Sequence, residues 1–186
     1  KIVFINGEYW VVLDLLRAQE PHQYDLLFHL SPAAQGQVSV SLSQDTLSID
    51  SPQLLLVQPL APTVLPSIEE GFVSTSYGTK ASAPIVRLTQ RALSTSFLTI
   101  VYPYKDGTPK ISIEIPPTSQ DLLGLLEGQQ VEIHITIAHN GQRSCDVIMF
   151  NGENGCEHNK FETSFMNHVH VSRTNHDGQL LFDHEV

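Results

Sequence analysis

The chain has 186 residues, enough for one domain with a sizeable core and too few for two ordinary ones. Ten Lys+Arg against twenty Asp+Glu give a formal charge of −10 with His neutral. That balance disfavours DNA or RNA, which need a basic footprint, so no nucleic-acid partner is expected; it also disfavours a tight grip on a polyanionic glycan by this chain alone. No apolar run is long enough for a helix to span a bilayer, so no membrane partner is expected.

The first residues, Lys1-Ile2-Val3-Phe4-Ile5, are too short an apolar run for a signal peptide, and no small-residue cleavage site follows. They read as a strand already under way, so the chain is expected to begin partway through a longer polypeptide. A second apolar strand runs to Leu16, with Trp10, Val12, Asp14 and Leu16 on one face by period two. Tyr24, Leu26, Phe28 and Leu30 share a face in the next run, and Val38, Val40 and Leu42 in another. Ile111, Ile113 and Ile115 form a further set. The alternation is strict from Val131 to Ile137, where Val131, Ile133, Ile135 and Ile137 oppose Glu132, His134 and Thr136. Asn140-Gly141 then predicts a hairpin into a strand from Cys145 to Phe150, since both turn residues must tolerate positive φ. A long last strand is predicted through Phe161, Thr163, Phe165, Asn167, Val169 and Val171.

Turn signals separate these runs: Ser31-Pro32, Asp50-Ser51-Pro52, Pro59 to Pro66, Lys105-Asp106-Gly107 and Pro116-Pro117. One short helix is expected, from Ser119 to Glu127, with Ser119 or Asp121 as its cap and Gly124 weakening it. Many strands without intervening helices predict an all-β fold, a large multi-stranded antiparallel β-sandwich with at most one short helix, taken as a single domain over residues 1–186.

The residues offer few chemical constellations. No Gly-x-Ser-x-Gly elbow, phosphate loop or dinucleotide fingerprint occurs. Cys145 and Cys156 fit no zinc knuckle; the Asn-Gly-Glu-Asn-Gly stretch between them allows a disulfide, and two reduced thiols fit equally well. His168 and His170, two apart on one strand face, could present two imidazoles to a metal, with His158, Cys156 or His176 completing the set; two histidines on a solvent face is the plainer reading. Asp14 on its apolar face must be paired, with Arg17 at hand, or lie at the strand's wet end. His29, opposite Phe28, is read as a structural histidine that could reach a partner surface. Trp10, Tyr77, Tyr102 and Tyr104 are the aromatic candidates for stacking on sugar rings. Trp10 is expected to pack in the core. Tyr77, before Gly78 at a bend, is the best exposed candidate, with a hydroxyl that anchors the turn as its alternative role.

Two segments carry a resemblance. The first is Gly7-Glu8-Tyr9-Trp10-Val11-Val12-Leu13-Asp14-Leu15-Leu16, continuing through Pro21-His22-Gln23-Tyr24-Asp25-Leu26-Leu27-Phe28-His29-Leu30. The second is Gly71-Phe72-Val73-Ser74-Thr75-Ser76-Tyr77-Gly78-Thr79-Lys80, continuing to Ala83-Pro84-Ile85-Val86 and followed by Phe97 to Pro103. Their order resembles the C-terminal β-rich region of heparinase II/III-like proteins, whose relatives include enzymes that cleave alginate. The resemblance covers roughly residues 1–103. It implies a β-sandwich of the super-sandwich type preceded, in the whole protein, by a helical toroid. It also implies a periplasmic or secreted setting, and a divalent metal such as zinc in the full-length protein.

The reaction so implied is β-elimination beside a uronate: the carboxylate is neutralised, the C5 proton removed and the 4-O-linked leaving group protonated. The chain shows neither the series of long amphipathic helices nor the His-rich catalytic segment of that pattern, so no catalytic residue carries over to it. It is therefore expected to be the non-catalytic module of a polysaccharide lyase, partnered by the toroid and meeting acidic polysaccharide through the full-length protein. The competing readings are an independent carbohydrate-binding module and, less economically, a metal-dependent β-barrel enzyme built on the C-terminal histidines.

Overall fold

The structure, a computed structural model, describes residues 1–43, 46–59, 64–119, 122–152 and 169–185. They form the expected all-β chain: two antiparallel sheets and, among the described residues, no helix of seven residues or more. The chain divides into two compact units, Lys1–Thr108 and Pro109–Val186.

The first unit is one seven-stranded sheet. Its strands are β1 (Ile2–Ile5), β2 (Tyr9–His29), β3 (Ser39–Ser43), β4 (Thr46–Ser51), β5 (Leu54–Pro59), β6 (Leu65–Val73) and β7 (Ala81–Pro103). Strands β2 and β7, at 21 and 23 residues, exceed the usual strand length and form a central antiparallel ribbon. On its far edge β7 pairs with β6 through Ala81–Thr89 and with β5 through Ile100–Pro103. The two apolar runs separated in the sequence by Pro21 are thus one strand. It stays continuous by bulging: Arg17 pairs with Ser94 and His22 with Ala92, leaving residues 18–21 opposite Leu93 alone. Pro21 lies in this bulge, where its missing N–H costs no ladder bond.

One core gathers residues from both ends of the ribbon. Val86 and Leu88 join it before the irregularity and Phe97 after it, together with Leu47, Ile49 and Leu56 of β4 and β5. Tyr24, Leu26 and Phe28 pack against the same cluster, as the period-two pattern requires. The Ser51-Pro52 signal marks the tight β4–β5 turn, in which Gln53 takes φ 64°.

The phase of β2 differs from expectation. Tyr9, Val11 and Leu13 are fully buried, while Trp10 is 37% exposed on the other face. Expected core packing for Trp10 is therefore corrected. The run from Tyr9 to Leu16 is apolar on both sides except at Asp14, so alternation alone does not choose the inner face.

The second unit is a five-stranded meander, β8 (Lys110–Glu114), β9 (Gln130–His139), β10 (Gln142–Asn151), β11 (Val169–Asn175) and β12 (Leu180–Glu185). Val131, Ile133, Ile135 and Ile137 are buried as predicted. Asn140 and Gly141 take φ of 51° and 78°, the mirror-image turn that matches strand twist. Of the predicted last strand, Val169 and Val171 are in β11, and residues 161–168 lie outside the described residues. The expected helix from Ser119 to Glu127 is instead two 3-10 segments, Pro117–Ser119 and Leu122–Glu127; Asp121 lies outside the described residues. Ser119 accepts a hydrogen bond from the Glu132 amide at 3.0 Å, tying the segment to β9 rather than capping a helix. Gly124 sits under the Gln129 side chain, whose Oε1 would lie 2.3 Å from a Cβ there.

Candidate functional site

The β1–β2 hairpin brings two aromatic residues together. Asn6 and Gly7 take φ of 48° and 72°, and the closing pair Ile5–Tyr9 sets Phe4 directly opposite Trp10. Their rings stack with centroids 4.5 Å apart and an interplanar angle of 19°. Phe4 is 48% exposed and Ile2, its neighbour on the same face, 73%. At the end of this row the Asn6 amide donates to the Glu8 carboxylate at 3.1 Å. An exposed aromatic pair beside an amide and a carboxylate is the composition of a sugar-stacking surface. Phe4 is not among the aromatic candidates drawn from the sequence. The signal that finds it is Asn6-Gly7, the same dipeptide that marks the β9–β10 turn.

Tyr77 is fully exposed, at the tip of the β6–β7 hairpin. The turn is held by neighbouring hydroxyls. The Ser76 amide donates to Thr79 Oγ1 at 3.1 Å, Thr79 Oγ1 donates to the Ser76 carbonyl at 2.8 Å, and Gly78 supplies φ 76°. Beside it, Lys80 places its ammonium 3.5 Å from the centre of the Phe72 ring. Tyr102 is differently placed: it is 8% exposed and its ring lies 5.8 Å from that of Tyr9. Tyr102 therefore offers no open face to a sugar, because the strand from Phe97 to Tyr102 is buried almost throughout. Tyr104 is structural. Its hydroxyl donates to Asp50 Oδ1 at 2.6 Å, and its amide donates to the Gln53 carbonyl at 3.0 Å, fastening the β4–β5 turn to the end of β7. Burial and the Asp50 carboxylate push the Tyr104 phenol above its ordinary range.

Charged groups elsewhere are joined across strands. Arg87 on β7 donates to both oxygens of Glu69 on β6, at 2.7 and 3.1 Å, and reaches Asp25 on β2 at 3.1 Å. Thr89 donates to Asp25 at 2.6 Å. The Arg87 bonds hold Glu69 below the ordinary carboxylate range, and the Thr89 hydroxyl does the same for Asp25. In the second unit Asp146 and Arg173, directly opposed on β10 and β11, form a buried two-bond pair at 2.5 and 2.7 Å. The Arg173 guanidinium also lies over the Phe182 ring.

Asp14 is half-buried opposite Phe97, and His29 is exposed at the end of β2. Among the described residues, neither joins a group of three His, Cys, Asp or Glu side chains. His170 contacts Asp183 at 2.7 Å and is half-buried. His168 and Cys156 lie outside the described residues, and Cys145 is a half-buried free thiol. Among the described residues, no three His, Cys, Asp or Glu side chains gather to hold a metal ion.

The family model described as heparinase II/III-like, C-terminal, matches residues 1–114, which include the whole of the first unit. No curated protein and no solved structure matches the chain.

Proposed function

The chain belongs to the heparinase II/III-like C-terminal family, and from that premise we propose that it is the non-catalytic β module of a polysaccharide lyase. In this reading the full-length protein cleaves a uronate-containing polysaccharide by β-elimination. A helical N-terminal domain supplies the base, the acid and the group that neutralises the uronate carboxylate. The β module packs against that domain and forms one wall of the cleft, with Tyr77 at its hairpin tip as the side chain offered to the polymer.

The family match over residues 1–114 carries the reading. The side-chain chemistry of the same segment supports it. Arg87 is already engaged by Glu69 and Asp25, and Tyr104 by Asp50, so these charges and hydroxyls serve strand-to-strand cohesion. The intact mass and far-ultraviolet circular dichroism of the protein from its natural source test the proposal. A mass well above 20.6 kDa with a strong α-helical signal is expected; a native protein of this mass with a pure β spectrum would overturn it.

A second reading, an independent carbohydrate-binding module, is favoured by one observation, the exposed Phe4–Trp10 stack.

A further inference from the structure

We infer that the β1–β2 hairpin is a binding site for an uncharged glycan, with the Phe4–Trp10 stack as its platform and Asn6 and Glu8 as its hydrogen-bonding rim.

Three observations on one hairpin carry this. First, Ile2, Phe4 and Trp10 project from the same face at the edge of the sheet and are 73, 48 and 37% exposed, although Val3, Ile5, Tyr9 and Val11 on the opposite face are buried. The hairpin has a core face of its own, so the aromatic row is not needed to close a core. Second, the two rings are nearly parallel, so each restrains the other before any ligand arrives and lowers the ordering cost of binding; the stack covers one face of each ring and leaves the outer face of Phe4, on the edge strand, for the ligand. The apolar C–H face of a pyranose suits such rings. Third, the rim pairs an amide with a carboxylate at 3.1 Å. Together they offer donors and acceptors to vicinal hydroxyls.

The rim also sets the charge of the occupant. Glu8 brings a negative charge to the end of the platform, on a chain of net charge −10. A uronate or sulfate would meet repulsion there, whereas a neutral hexose would not. This inference stands apart from the lyase reading: either can fail while the other holds.

Trp10 is the chain's one tryptophan, so emission excited at the red edge of the indole band, where the five tyrosines do not absorb, reports on the platform alone. The 186-residue protein is titrated with cellohexaose, with mannohexaose and with a hexameric oligouronate, reading Trp10 emission. A saturable change is expected with at least one neutral hexasaccharide, and a weaker one or none with the oligouronate. Phe4→Ala is expected to weaken neutral binding by about tenfold, the range of an aromatic pair, while Phe4→Tyr retains it. Asn6→Ala is expected to weaken it about fivefold, one hydrogen bond's worth. Far-ultraviolet circular dichroism shows whether each variant keeps its sheet, and Phe4→Tyr keeps the test meaningful if Phe4→Ala does not fold. The inference is overturned by no saturable change with either neutral sugar, by a folded Phe4→Ala variant that binds as the parent does, or by tighter binding of the oligouronate.

Discussion

Asp146 and Arg173 are directly opposed on neighbouring strands and lie almost wholly out of water among Ile135, Ile148 and Val171. A buried ion pair of this kind contributes little over a well-packed apolar pair, but either partner alone is costly. Asp146→Leu is therefore expected to lose about 3–5 kcal/mol in urea unfolding, and the double variant Asp146→Leu/Arg173→Met much less than that. The Arg87 group behaves differently because it is wet. Asp25 and Glu69 are both held below the ordinary carboxylate range, so the folded protein takes up protons less readily than the unfolded chain. Their contribution is present at neutral pH and is lost as pH falls from the ordinary carboxylate range through the lowered values. Thermal unfolding followed from pH 7 to pH 3 should show a shallower acid decline for Asp25→Asn/Glu69→Gln than for the parent.

Residue roles were only partly legible in the sequence. Tyr77 is exposed as its position before Gly78 implied, because a bend needs surface. Trp10 and Tyr102 were not separable by sequence. Both sit in runs apolar on each side, and only the register of β1 on β2 and of β5 on β7 decides which is covered. The partners of Arg87 come from two other strands, so no spacing along the chain announces them.

Single elements show where close packing and turn chemistry matter. Gly71 on β6 faces Ala83 on β7, and a Cβ there would stand 2.2 Å from Ile85 Cδ1 and 2.4 Å from its Cγ1. Gly71→Ala is expected to cost about 1–3 kcal/mol in denaturant unfolding, as overpacking does. At the β9–β10 turn nothing lies within 4 Å of a Cβ on Gly141, yet φ is 78°. Gly141→Ala should therefore lose about 1–2 kcal/mol for conformational reasons alone. Strict alternation made β9 legible in both extent and phase, because Glu132, His134 and Thr136 leave one choice of inner face. The β2 bulge was not legible: Pro21 reads as an interruption, and only the pairing with Ser94 and Ala92 carries the strand past it. The segment after Pro117 reads as helical by composition, but it forms 3-10 turns that end at Gly128, which takes φ 80°.

At the scale of the chain, charge is unevenly shared. Lys1–Thr108 carries six Lys+Arg and nine Asp+Glu; Pro109–Val186 carries four and eleven. Both units are acidic, net −3 and −7, so neither supplies the positive field that gathers a polyuronate. Calorimetric titration of this chain with alginate at moderate salt is expected to show no saturable heat. The all-β class was legible because period-two patterning recurs along the chain, and the family was legible in two segments that the family model also covers. A catalytic site was not legible, and the proposal places it in another part of the protein.

The most direct test incubates the 186-residue chain and the full-length protein separately with alginate and heparan sulfate, following the ultraviolet absorbance of unsaturated uronate ends. The account predicts product from the full-length protein on at least one polymer and none from the 186-residue chain. Unsaturated ends released by the isolated chain, or none released by the full-length protein on any uronate polymer, would contradict it.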